Sequence, residues 1–177
     1  MRCKLYLLVV VLGVFGGGSN SIQAENIQRA GDVVQVLLPV TGLATTFILD
    51  DSEGRGQFFK SFATNIAITY SLKYGIDRER PNGGSHSFPS GHTSAAFHGA
   101  GFIHRRYGLE YGLPAYAAAS FVGYSRVHAD KHYVSDVVAG ALIGFGSAYY
   151  FTDRYERLSV MPVAGREYQG VELTYVW

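Results

Sequence analysis

The chain has 177 residues, enough for one domain with its own core. Apolar residues make up 47% and charged residues 16%, and the mean hydropathy is +0.07, well below what a chain made mostly of membrane spans shows. The net charge is +1 and no basic cluster is interleaved with aromatics, so neither nucleic acid nor a bulk anionic surface is an expected partner.

Residues 1–24 carry a basic start (Arg2, Lys4), a short apolar run from Leu5 to Phe15 and a Gly/Ser/Asn stretch ahead of Ala24. This pattern predicts a secretory signal cut after Ala24. The apolar run is short of the roughly 20 residues that a span needs. Losing Arg2 and Lys4 takes 15 basic residues to 13 against 14 acidic ones, a net of −1. The single cysteine, Cys3, leaves with them, so the mature chain, 25–177, is expected to hold no disulfide.

The apolar stretch 31–54, with Pro39 inside, predicts a first helix, and 56–76 a second that ends at Gly75. Residues 77–88, "DRERPNGGSHSF", are a loop by their Pro, Gly and Asn content. A third helix is expected from Ser90 to about Arg106, a fourth over 113–126 with Pro114 in its first turn, and a fifth over 132–155. In the tail, 157–177, Val171, Leu173, Tyr175 and Trp177 alternate with other residues, which predicts a strand paired with 157–163. The fold class expected is all-α, one bundle of about five core helices closed by a short C-terminal β-hairpin. The uncharged runs 33–49 and 137–152 approach spanning length but hold Gln35, Thr41, Thr45, Thr46 and Ser147. Lys60, Asn65 and Glu110 interrupt the second and fourth helices, so a soluble or surface-associated bundle is favoured over an embedded one.

Three segments carry chemistry. In "FPSGHTSAAFHGA", Pro89-Ser90-Gly91-His92 precedes a helical run, so free N–H groups and the helix dipole favour an anion there, and Gly91 allows it close approach. Alone, the stretch reads as a Ser90 cap with a surface histidine. In "KYGIDRERP", Lys73 closes the second helix and Pro81 holds Arg80 extended, so two cations flank a helix end. In "SRVHADKHYVSD", His132 and Asp136 are four apart, a spacing at which a carboxylate fixes one imidazole nitrogen and leaves the other nucleophilic. His128 and His132 also have the spacing of a metal pair, but no third ligand follows on an obvious helical register apart from Asp130 and Asp136.

Together the segments resemble the type 2 phosphatidic acid phosphatase and vanadium haloperoxidase superfamily, whose signature is Lys-x6-Arg-Pro, Pro-Ser-Gly-His and Ser-Arg-x5-His-x3-Asp. Lys73, Arg80 and Pro81, then Pro89, Ser90, Gly91 and His92, then Ser125, Arg126, His132 and Asp136 fill every position in order. The match covers 73–136, inside a helical frame of about 31–153. The resemblance implies a phosphatase acting on phosphate monoesters or pyrophosphates, of lipids such as phosphatidic acid or of small phosphoesters, in the periplasm or envelope and in contact with a membrane surface. It implies that His132 attacks phosphorus, Asp136 orients His132, and His92 protonates the leaving oxygen and then activates water. Lys73, Arg80, Arg126, Ser90 and the Gly91 N–H would hold the phosphoryl oxygens, with no metal and no cofactor. Two alternatives share these residues: a vanadate-dependent peroxidase, and a non-catalytic envelope binding protein. Only residues 82–88 separate Pro81 from Pro89, short for the family, which leaves the substrate entrance undefined. His86, His98, His104 and His128 fill no signature position.

Overall fold

The computed structural model describes residues 20–155, 158–164 and 169–175, with side chains over 23–155. The predicted signal segment before Asn20, Cys3 included, and residues 165–168 lie outside the described residues. Five helices follow in order: α1 (Asn20–Ile48), α2 (Ser52–Ile76), α3 (Gly91–Tyr107), α4 (Leu109–His128) and α5 (Val134–Phe151). The described residues up to residue 155 are thus all-α. Beyond it, β1 (Leu158–Ala164) and β2 (Gln169–Tyr175) pair antiparallel, Leu158 opposite Tyr175, and among the described residues neither strand meets a helix.

Several helix ends differ from the sequence expectation, for local reasons. The acidic segment expected to finish the first helix instead starts the second: Asp51 caps α2, its carboxylate accepting the Gly54 N–H at 2.8 Å. The expected turn before α4 shrinks to Gly108 at φ 114°, a conformation that favours glycine, so α4 starts at Leu109 and Pro114 lies inside it. α3 begins as expected, with Ser90 as its cap.

α3 is the central helix and packs against all four others. Its face toward α1 and α4 is apolar, a cluster of Leu38, Ala96, Ala100, Ile103, Ala115, Ala119 and Val122. Its face toward α2 is apolar where Phe102 meets Phe58 and polar nearer the start of α3. Thr69 and Ser94 hydroxyls lie 2.8 Å apart, Ser94 donates to Asn65, and Ser61 lies 2.7 Å from His98. Ser61, Asn65, Thr69 and Lys73 recur every four residues, so this seam climbs one face of α2 and arrives at Lys73. α5 comes against α3 so closely that a Cβ on Gly140 would fall on the Ser90 carbonyl, and one on Gly144 on the Ser94 carbonyl.

The outer surface is apolar. Val33, Val36, Leu37 and Val40 on α1, Tyr74 on α2, Leu113 and Tyr124 on α4, and Val138, Leu142 and Tyr150 on α5 are each more than half exposed. Two helices, Gln23–Ile48 and Val134–Phe151, are long and apolar enough to cross a membrane. Of the polar residues that weighed against an embedded bundle, Thr45, Thr46, Asn65 and Ser147 are buried, while Lys60 and Glu110 are exposed. Thr45, Thr46 and Ser147 donate to the carbonyls of Thr41, Leu43 and Ile143 at 2.7–2.8 Å, so their hydroxyls need no water.

Candidate active site

The residues picked out by sequence lie at one end of the bundle, where α2 and α4 finish and α3 and α5 begin. Lys73, in the last turn of α2, donates from Nζ to the carbonyls of His86 (2.9 Å) and Pro89 (2.8 Å). These bonds tie the short loop 77–90 to α2 and use two of the ammonium's three protons, leaving one. Arg80 sits in a turn that returns on itself, with its N–H on the Gly84 carbonyl and Nε on the Ser85 carbonyl. Its two Nη groups take no partner among the described residues.

His132 precedes α5 instead of lying in it, while Asp136 is the third residue of the helix. Asp136 is completely buried and its carboxylate is saturated. Oδ1 accepts Arg78 Nη1 at 2.9 Å, and Oδ2 accepts the Ser87 hydroxyl at 2.5 Å and the Tyr133 N–H at 3.0 Å. His132 Nδ1 faces this group, 3.4 Å from Ser87 Oγ and 3.7 Å from Asp136 Oδ2. Because the Ser87 proton goes to Asp136, the Ser87 oxygen is free to accept from His132 Nδ1–H. That arrangement assigns the tautomer and leaves the lone pair on Nε2. Burial, followed by the positive charges of Arg80 and Lys73, pushes His132 down to about 4 against the opposing pull of Asp136. His132 is therefore a neutral imidazole through the physiological range.

At the start of α3, the Ser90 hydroxyl is turned into the cap, 3.0 Å from Thr93 Oγ1 and accepting the Thr93 N–H. The Ser90 N–H goes to the Asp136 carbonyl at 2.9 Å, joining α3 to α5. The Ser90 side chain thus shapes the helix start, and beside it the N–H groups of Gly91 and His92 have no partner among the described residues. Arg126, 2% exposed, uses three of its five N–H groups, on Ser125 Oγ, Asp32 Oδ1 and the Gln28 carbonyl. His92 Nε2 is 3.2 Å from the same Asp32 oxygen. Arg126, Asp32, Arg80 and Lys73 all lie close enough to act on His92 electrostatically.

The end of the bundle thus gathers a lone-pair nitrogen, two unbonded backbone donors and three cations with protons to spare, the groups that can hold a phosphoryl group beside a nucleophile. Three participants escaped sequence reasoning. Asp32 is an isolated acid in an apolar helix, and Ser87 and Arg78 are loop residues in a polar stretch without periodicity. Arg78 was indistinguishable from a solvated charge, yet it reaches Ser135 as well as Asp136 and sits 4.1 Å over the Tyr133 ring.

The remaining histidines have other partners. His98 is buried against Phe58 and Phe62, His104 meets Tyr116 at 3.1 Å, and His128 stacks on Tyr124. His86 lies 2.9 Å from Asp77 and edge-on to Tyr74. Among the described residues no cluster of three or more His, Cys, Asp or Glu is placed to hold a metal.

Comparison with known proteins gives one family. Residues 56–158 match the model of the PAP2 superfamily. The chain is 30% identical to the lipid A 4'-phosphatase of Helicobacter pylori (strain J99) over 197 aligned positions, covering 99% of each protein. It is 38% identical over 101 positions to the lipid A 1-phosphatase of Porphyromonas gingivalis, covering 52% of this chain but only 23% of that protein. Among solved structures, Aquifex aeolicus LpxE shares the fold, with a TM-score of 0.64 and 24% identity over 73% of this chain and 85% of that one. With more than half its length in the family model and a relative aligned end to end, the chain is a member of the PAP2 superfamily.

Proposed function

We propose that this chain is a lipid phosphatase that removes phosphate from lipid A or a similarly phosphorylated lipid through a phosphohistidine on His132. The observation that carries the proposal is the lone pair on His132 Nε2, set by Ser87 and Asp136 and opposed by Lys73, Arg80 and the α3 N-terminus. The names of the family relatives support a lipid as substrate, and the apolar outer surface supports it independently. Phosphatidic acid, expected from the resemblance, is one member of that wider class.

In the first step Nε2 attacks phosphorus as the bond to the leaving oxygen breaks, and His92 gives that oxygen its proton. Lys73, Arg80, Arg126 and the N–H groups of Gly91 and His92 bind the phosphoryl oxygens as charge shifts among them. In the second step His92 takes a proton from water, the water oxygen attacks phosphorus, and the P–N bond breaks. Inorganic phosphate leaves, and both histidines return to their starting states.

The apolar helices sit in the membrane of the cell envelope, with the site end at its surface. This predicts that the protein leaves the membrane fraction with detergent and not with salt; release by salt would contradict it. Residues 1–24 act as the signal and 25–177 as the helical domain, ending in the C-terminal hairpin. The cut after Ala24 falls inside α1, so N-terminal sequencing of the mature protein tests it directly. The catalytic assignment is tested by His132→Ala: the folded variant is expected to release no phosphate above background, and wild-type turnover would contradict the assignment.

A further inference from the structure

α1 contributes contacts to the site residues although no signature residue lies on it. Gln28 and Asp32, one turn apart, both contact the Arg126 guanidinium, at 2.7 Å and 2.6 Å. Between them, Gly31 lets α1 come this close, because a Cβ there would fall on Ser125 Oγ. An acid in a helix apolar enough to span a membrane is costly unless it has a partner and a task. Asp32 has two partners, and one of them is His92.

The two histidines of the site have opposite needs. His132 must be neutral and Asp136, saturated by Arg78, Ser87 and Tyr133, orients it. His92 must carry a proton to give, although Arg126 on α4, Lys73 on α2 and Arg80 in the loop all oppose a positive charge there, as His132 would if protonated. Asp32 on α1 is the carboxylate that faces His92 from the helices packed around it. It touches Nε2, while Nδ1 has no partner among the described residues.

We propose that Asp32 is the positioning carboxylate of the acid–base histidine: it holds His92 by Nε2–H and leaves Nδ1 to exchange the proton with the leaving oxygen and then with water. This rests on the phosphohistidine reading above. The site then holds two histidine–carboxylate pairs of different character, one buried and saturated, the other half-exposed and shared with a phosphate-binding arginine. No covalent bond to Asp32 forms, and its charge is unchanged through the cycle.

The test uses the full chain in detergent with two substrates, an alkyl phosphate lipid and an aryl phosphate with a good leaving group. Asp32→Asn is expected to slow the lipid on the order of a hundredfold and the aryl phosphate less than about fivefold, since only the poor leaving group needs the acid. The alkaline limb of the lipid pH–rate profile is expected to move down by about one unit, because loss of the carboxylate disfavours the protonated imidazole. Asp32→Glu is expected to restore the limb. Equal losses on both substrates with an unmoved limb, or no loss at all, would overturn the proposal and leave Asp32 a tether between α1 and α4. Should the Asn variant fail to fold, nitrogen NMR of labelled histidine in the wild-type chain decides: neutral His92 is expected as the Nε2–H tautomer, and the Nδ1–H tautomer would overturn the proposal. If wild-type protein releases no phosphate from either substrate, it is the phosphatase reading that fails.

Discussion

The two ends of the bundle each bury an arginine against an aspartate, and they use it differently. At the end away from the site, Arg106 donates from Nε and Nη2 to Asp51 at 2.8 and 2.6 Å, from Nη2 to Glu53, and from Nη1 to the carbonyls of Asp153 and Arg154. The Tyr107 hydroxyl donates to the same Asp51. All five guanidinium protons are consumed, so that cluster can only hold α2, α3 and the residues after α5 together. At the site end the cations keep protons in reserve: two on Arg126, four on Arg80 and one on Lys73, by the bonds that each makes with the described residues. Arg106 has no donor left over, whereas each of these three cations keeps at least one.

That contrast can be broken from either side. Arg106→Ala strands Asp51 in a buried setting and is expected to cost about 3–5 kcal/mol of stability, read as a large fall in Tm; a Tm within a degree or two of wild type would contradict the structural role. Arg80→Ala leaves folding unchanged and is expected to lower phosphate release by roughly a hundred- to a thousandfold, the effect of removing one donor to a transition-state oxyanion. An equal Tm with near-normal turnover would show that Arg80 does not face phosphate. Ser87→Ala removes the hydroxyl between His132 and Asp136 and is expected to lower kcat by on the order of tenfold, a single hydrogen bond's worth, with KM little changed. A dominant rise in KM would place Ser87 on the substrate instead.

The pH dependence separates the same two roles. With its imidazole held at about 4, His132 is neutral and nucleophilic at higher pH and loses its lone pair as pH falls through that value. A His132-linked loss of activity is therefore expected near pH 4 and not near 6.5. The measurement is single-turnover phosphate release on an aryl phosphate, where the His92 proton matters least. An acid limb at 6.5 would mean that His132 is solvated and carries none of the influence of Arg80 and Lys73.

Much of this site was legible in the sequence because it is local. Lys73, Arg80, His92, Arg126, His132 and Asp136 sit at helix ends or in loops where spacing, proline and glycine fix direction. What could not be read depends on approach between distant elements. Asp32 meets Arg126 across 94 positions of chain, and Arg78 meets Asp136 across 58. Ser90 fits a cap and an anion donor alike, because both require the same residue type in the same place. The membrane question turns on a related point. Thr45, Thr46 and Ser147 lower the hydropathy of their helices, but a hydroxyl bonded to the preceding turn and turned inward costs an embedded helix little.

The central claim is that His132 becomes covalently phosphorylated at the site end. The most direct measurement is to quench turnover of substrate labelled in its phosphate and map the labelled residue by peptide mass spectrometry under alkaline conditions, where phosphohistidine survives. The expected result is a label on His132 in wild-type protein that accumulates when His92 is replaced by alanine and a good leaving group is used, because water attack then lacks its base. Continued turnover with no label on His132, or a label on another residue, would contradict the account.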